Sequence, residues 1–253
     1  MKNMNKNIGG EFIEKTKYQY MGTTDQEKEL PQPPLELEYE KGEVLIELPS
    51  VSNIKVNNID LREAIESRKS LRKYSNEFLT KEELSYLLWC TQGVKAITSR
   101  PSTLRNVPSA GSRHSFETYL LINRVNGLKP GLYRYLAIDH KLLEVNTEPD
   151  IAEKITYSCN EQIYVKNSAV TFIWSTVIYR MKWRYGERGY RYVHLDAGHV
   201  CQNLYLTAQS IDSGVCAIAA FDDDRLNELL GLDGEEQFVV YLATVGKKPE
   251  LKS

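Results

Sequence analysis

Much that would mark a familiar chemistry is missing from this sequence. No G-x-G occurs in its 253 residues, which excludes the dinucleotide-binding fingerprint and the kinase-type glycine loop, and there is no P-loop. Neither H-E-x-x-H nor a G-x-S-x-G elbow is present, so zincin and α/β-hydrolase chemistry are excluded as well. The four cysteines (Cys90, Cys159, Cys201, Cys216) are far apart and form no C-x-x-C pair; they read as reduced thiols, not as a disulfide frame or zinc site. His194 and His199 are five apart on one expected helix and do not share a face, and no metal site is expected. Neither sign of charge dominates: 32 Lys+Arg against 34 Asp+Glu leave −2, which argues against a general nucleic-acid or anionic-membrane binder. The longest apolar run, 169–179, is broken by Thr171, Ser175 and Thr176 and is too short to span a bilayer. With no signal-like N-terminal run, a cytoplasmic protein is expected.

The composition that remains is that of a globular chain, 42% hydrophobic and 26% charged, long enough for one sizeable core. Residues 1–58 are polar and punctuated by Pro31, Pro33, Pro34 and Pro49, which predicts an extended arm with little regular structure. Residues 59–253 read as one domain. Asp60 caps a helix carrying Leu61, Ala64 and Ile65. Thr80 and Glu83 form a capping box for a second helix, with Leu84, Leu87 and Leu88 as its buried stripe and Gly93 as its stop. Residues 94–115 read as loop. Strands are predicted over 116–125, 131–138, 141–145, 169–179 and 237–245, with a short strand or loop over 215–221. A short helix is expected over 150–157, a long one over 192–211, and a capped one over 222–230. Gly198 within the long helix suggests close helix packing, within the chain or across a dimer. Helices and strands without a regular βαβ beat make the fold α+β.

The densest chemistry lies at Arg68-Lys69-Ser70-Leu71-Arg72-Lys73. Two planar guanidinium forks flank a hydroxyl, a pattern suited to phosphate oxygens as well as to a solvated basic turn. A second basic stretch, 179–192, interleaves Arg180, Lys182, Arg184, Arg188 and Arg191 with four tyrosines and Trp183. In isolation it suits a stacking platform for single-stranded nucleic acid or an interfacial segment packing its aromatics.

Further stretches line up with R-x-S-x-R: the loop Pro108-Ser109-Ala110-Gly111-Ser112-Arg113-His114, Gln202-Asn203, Ile218-Ala219-Ala220-Phe221, and Val245-Gly246-Lys247-Lys248. In this order they resemble the FMN-dependent nitroreductase family. LSYLLWCTQG at 84–93, G-L-Y-R-Y at 131–135 and 185–203 point more narrowly to its thiazole/oxazole-forming (streptolysin-biosynthesis type) dehydrogenases. The resemblance implies a central mixed or antiparallel sheet flanked by helices, in a homodimer with shared flavin sites. Arg68, Ser70 and Arg72 would hold the FMN phosphate and ribityl end, with Lys69 near the ring and Lys247 or Lys248 adding charge. Pro108, Ser109, Ala110, Gly111, Ser112 and His114 would reach the isoalloxazine from the second subunit. Ser112 stands where many relatives carry Asn. Gln202 and Ile218 would lie at the cofactor, and the Ala219 and Ala220 backbone would face flavin N5, an alanine replacing the usual glycine. In the azole-forming branch a Lys-Tyr pair removes a proton from the azoline; here Arg184-Tyr185 occupies that place. Arginine stays protonated, which leaves Tyr185 as the relay. The implied activity is two-electron transfer, with NAD(P)H and a small molecule, or a modified peptide, as partners.

Overall fold

The computed structural model describes residues 7–250; residues 1–6 of the arm and 251–253 of the domain lie outside the described residues. In chain order the elements are α1 (Ile8–Lys15), β1 (Leu45–Glu47), α2 (Leu61–Ser67), α3 (Lys81–Gln92), β2 (Val94–Ile97), β3 (Thr103–Arg105), β4 (Phe116–Ile122), β5 (Gly131–Leu136), β6 (Lys141–Asn146), α4 (Ile151–Ser158), α5 (Tyr164–Asn167), β7 (Val170–Val177), α6 (Ile178–Tyr185), α7 (Gly189–Gln209), β8 (Ser213–Ile218), α8 (Asp223–Leu230) and β9 (Gln237–Lys247). Seven strands form one sheet in the order β1-β6-β5-β4-β7-β9-β8, every neighbouring pair antiparallel. This is the α+β arrangement expected.

The inner strands β4, β5 and β7 are buried along almost their whole length because helices cover both faces of the sheet. Along β4, Leu120 and Ile122 point into a core with Leu84, Leu87 and Leu88 of α3 and Val193, Val200 and Leu204 of α7. The alternate residues Tyr119 and Leu121 pack on the other face against Ile151 and Ile155 of α4 and Leu226 and Leu230 of α8. The three α3 leucines are fully buried, each stabilising the fold by about 1.5–3 kcal/mol. The Thr80–Glu83 capping box closes as its spacing predicts. α2 differs: Asp60 caps it, but of its apolar residues only Ala64 is buried. Leu61 and Ile65 face outward.

Several local readings change. The stretch read as an extended arm with little regular structure holds α1 and supplies the edge strand β1, whose Leu45 pairs with Leu143. Polar contacts to the body carry it. Arg188 donates to the Thr16 carbonyl (2.8 Å), Trp183 Nε1 to the Leu30 carbonyl (3.0 Å) and Arg180 Nε to the Pro34 carbonyl (2.8 Å). The loop read over 94–115 contains the β2–β3 hairpin. Residues 178–185, read as the end of the 169–179 strand and the start of the basic stretch 179–192, form α6 directly after β7, burying Ile178, Met181 and Trp183. Gly198 meets no atom within 4 Å of where a Cβ would stand, so the close packing expected of it is not found within this chain.

Candidate functional site

The basic cluster begins where α2 ends, with Arg68 as its C-cap. The chain then runs extended beside β8: Ser70 forms a parallel bridge with Val215, and the Leu71 amide donates to the Val215 carbonyl at 2.8 Å. Extended backbone sends alternate side chains to opposite sides. The Arg68 guanidinium lies over the Tyr205 ring, 5.3 Å from its centroid. Ser70 Oγ is 3.0 Å from the Tyr205 hydroxyl, which also accepts the Ala217 amide at 2.9 Å. Among the described residues neither Arg68 nor Arg72 pairs with a carboxylate. Two guanidinium charges are therefore left for an external anion.

Beyond β8, Ala219 and Ala220 are exposed, and among the described residues no hydrogen bond is made by either amide. Ile218, the last strand residue, is buried. Its neighbours thus present backbone donors at the open end of β8, on the same edge as Ser70 and Arg72.

Lys69, Lys247 and Lys248 gather elsewhere. They line a cleft of about 540 Å³ with Leu71, Gln209 and Asp212. Lys247 Nζ is bound to Glu83 and donates to the Ile211 carbonyl at 2.7 Å, while Lys248 Nζ donates to Gln209 Oε1 at 2.9 Å. The fold therefore does not group these lysines with Arg68, Ser70 and Arg72.

The Pro108–His114 loop packs at the other end of α7. Its backbone is left-handed at Gly111 (φ 56°), Ser112 (53°) and His114 (42°). Asp196, buried on α7, holds it: Oδ1 accepts the Ala110 amide at 3.3 Å, with Ser109 beside the carboxylate. Ser109 Oγ in turn accepts the His114 amide at 2.9 Å. Burial raises the Asp196 pKa against these hydrogen bonds, and Oδ2 is buried without a partner. His114 is itself buried; desolvation, then Arg105 and Arg113, push its pKa down to about 3, so the ring is neutral. Pro108 is exposed, and Ser109, Ala110, Gly111 and Ser112 are half-buried.

Arg184 and Tyr185 meet this loop. A Cβ on Gly111 would fall 2.4 Å from the Tyr185 hydroxyl and 2.9 Å from Arg184 Nε. Tyr185 stands edge-on to Tyr192 (4.8 Å between centroids) and lies 5.6 Å below the Arg184 guanidinium. It also lines a cleft of about 480 Å³ between the arm and α6, with Tyr20, Tyr179, Lys182 and Arg188. The other cations of this stretch are engaged internally. Arg180 pairs with Glu117 at 2.7 Å, Lys182 with Glu187 at 3.7 Å, and Arg188 and Arg191 hold Thr16 of the arm. This is not the open basic platform that single-stranded nucleic acid needs.

The sequence therefore named two clusters that occupy opposite ends of α7. Asp196 and Tyr205 are nine residues apart, about 13 Å along the helix. Gln202 lies between them, exposed. Tyr205 and Asp196 escaped the sequence reading because both sit on the apolar stripe of α7. A carboxylate among buried positions was the available signal. Among the described residues no three His, Cys, Asp or Glu cluster as a metal site, and no helix is long and apolar enough to cross a membrane.

Comparison with known proteins adds to this geometry. The model of the Nitroreductase family matches residues 65–247. A candidate nitroreductase of Methanocaldococcus jannaschii is 30% identical over 205 residues, 81% of this chain and 97% of that protein. The trifolitoxin-processing protein TfxB of Rhizobium leguminosarum bv. trifolii is 26% identical over 154 residues, 59% of this chain and 41% of the other. A crystal structure of a candidate nitroreductase from Anabaena variabilis superposes with a TM-score of 0.67 at 28% identity, covering 83% of this chain and 42% of that one. A chain of the E. coli microcin synthetase complex, solved with truncated pro-MccB17 bound, gives a TM-score of 0.61 at 20% identity, over 95% of this chain and 87% of that one. This chain spans about two-fifths of the Rhizobium and Anabaena proteins and nearly all of the archaeal one.

Proposed function

The chain belongs to the nitroreductase family, and from that premise we propose that it is an FMN-dependent oxidoreductase working as a homodimer. The carrying observation is the pair Arg68 and Arg72, free of carboxylate partners and flanking Ser70, on the same edge as the unengaged amides of Ala219 and Ala220. These groups suit a ligand with a phosphate at one end and a hydrogen-bond acceptor at the other. FMN, when bound, supplies two-electron transfer. Arg68 and Arg72 would grip the phosphate, and Ser70, fixed by Tyr205, would donate between them. The Ala219 and Ala220 amides would face the ring. Tightly turned at Gly111, the Pro108–Ser112 loop would close the site from the second subunit. A dimer is supported by the uncovered apolar side chains of Leu61, Ile65 and Leu195 and by the open surface at Gly198.

For the substrate, the reading we favour is a modified peptide whose azoline ring loses a hydride and a proton. It is supported by the likeness to a trifolitoxin-processing protein and to a chain of the microcin synthetase complex. Tyr185 would relay the proton, because Arg184 remains a fixed cation. NAD(P)H-dependent reduction of a small molecule is the second reading, favoured by the archaeal relative that this chain covers almost end to end.

The visible spectrum of the purified protein tests the cofactor. Flavin bands that weaken in an Arg68→Ala/Arg72→Ala double variant are expected. A colourless protein that refuses added FMN would overturn the reading. Anaerobic bleaching by a thiazoline peptide, or by NADH or NADPH, then separates the two substrates.

A further inference from the structure

We propose that Gln162 and Tyr164 complete the cofactor cradle, as a hydrogen-bonded strut joining the anion-binding Arg72 to the backbone at Ala219 and Ala220. This rests on the FMN reading above. The strut runs in one direction. The Arg72 guanidinium lies beside the Tyr164 hydroxyl, and Tyr164 donates to Gln162 Oε1. Gln162 Nε2 then donates to the Ala220 carbonyl at 2.9 Å and to the Cys159 carbonyl at 2.8 Å. Each donor meets an acceptor, and the Gln162 amide has one workable orientation. Flipped, it would set its oxygen against two carbonyls and its NH₂ against a hydroxyl that must then turn.

The turn that delivers Gln162 is itself strained. Asn160 (φ 54°) and Glu161 (φ 57°) are consecutive left-handed residues, and neither is glycine. Each costs roughly 1 kcal/mol, Glu161 more than Asn160, and such backbone persists where its surroundings fix it. Here the side chain just beyond it ties three segments together: the end of α4, the loop after β8, and the edge segment carrying Arg72.

The chemistry of the strut also suits an anion site. A carboxylate beside Arg72 would orient it but neutralise it, and would repel an incoming phosphate. A phenol orients the guanidinium and leaves its charge intact. Cys216, the other near group, does the same, because burial raises its thiol pKa and keeps it neutral. At the far end, the Gln162 bond fixes the Ala220 peptide, and with it the direction of the two free amides. Tyr164 and Gln162 are thus positioning residues that couple the phosphate end of the site to its ring end.

The test uses the full chain and FMN, with Tyr164→Phe, Gln162→Leu and the near-isosteric Gln162→Glu. We expect Tyr164→Phe and Gln162→Leu each to raise the FMN Kd about tenfold, and the double variant to bind no worse than the weaker single, since both break one chain. Riboflavin, which lacks the phosphate, should be affected less by Tyr164→Phe than by Gln162→Leu. Both Gln162 variants should shift the flavin midpoint potential while the melting temperature of the apoprotein stays near wild type. Gln162→Glu guards against a folding defect in the leucine variant: it keeps the Tyr164 contact and loses the donor to the Ala220 and Cys159 carbonyls. Wild-type Kd and potential in these variants would overturn the strut, as would losses that simply track melting temperature. A wild-type protein that binds no FMN would instead overturn the flavin reading, and the strut with it.

Discussion

The Tyr185 hydroxyl stands where any side chain at position 111 would begin: a Cβ on Gly111 would lie 2.4 Å from it. Two properties of glycine are needed at once, because the backbone there is also left-handed, with φ 56°. Tyr185 is thereby held between the loop and the cleft beside the arm, touching both.

Gly111→Ala should therefore be costly for two separable reasons. The left-handed backbone costs roughly 1 kcal/mol, and the clash with Tyr185 adds to it. Tyr185→Phe removes the nearest clashing atom, so in a double-mutant cycle it should return part of the loss and leave the backbone share and the contact with Arg184. Urea denaturation of the four proteins gives the coupling; strict additivity would mean that the two residues do not meet.

A second prediction concerns Arg180 and Glu117, an ion pair at 2.7 Å in which both side chains are 3% exposed. Glu117 also accepts the Leu37 amide at 3.0 Å, and Arg180 donates to the Pro34 carbonyl, so the pair fastens the arm to the sheet. Glu117→Leu leaves a buried guanidinium uncompensated and should cost about 3–5 kcal/mol. Glu117→Leu/Arg180→Met should cost much less. Limited proteolysis between residues 28 and 40 should accelerate in the single variant, and unchanged cleavage there would show that the arm is held by its other contacts.

Acid stability should carry the signature of His114. Its folded pKa, about 3, is below the ordinary value of 6.5, so between those limits the unfolded chain binds a proton that the folded chain does not. Stability from this residue is complete above about pH 6.5 and falls as the pH drops, by up to about 1.4 kcal/mol per pH unit, levelling near pH 3. His114→Gln should flatten this limb relative to wild type in denaturation curves from pH 4 to 8. Parallel limbs in the two proteins would place the acid sensitivity in other groups.

What the sequence determined by itself was local and periodic. Thr80 and Glu83, three apart, cap α3 wherever α3 packs. Leu84, Leu87 and Leu88, and Val193, Ala197, Val200 and Leu204, mark the faces that must leave water. The apolar run of β7 required cover on both sides. These patterns act over one or two turns, so they survive without knowledge of the rest of the chain. The cluster Arg68, Ser70 and Arg72 stood out in the same local way, as guanidinium forks around a hydroxyl; that its segment runs extended beside β8 came only with the fold.

The tertiary structure decided everything that depends on partners distant in the chain. Helix α1 and strand β1 are too short to declare themselves and form because Arg188, Arg191 and the β6 edge receive them. The charges of 179–192, read one residue at a time, suggested a surface; folded, they are occupied by Glu117, Glu187 and the arm's carbonyls. Lys247 and Lys248 look like further phosphate ligands until Glu83 and Gln209 are seen to hold them. Tyr205, Gln162 and Tyr164 carry no motif, and Asp196 lies in the matching run 185–203 without standing out from it. Asp196, Tyr205 and Gln162 make hydrogen bonds to residues 12 to 135 positions away, and an ordering of that kind is fixed only when the sheet has brought its edges together.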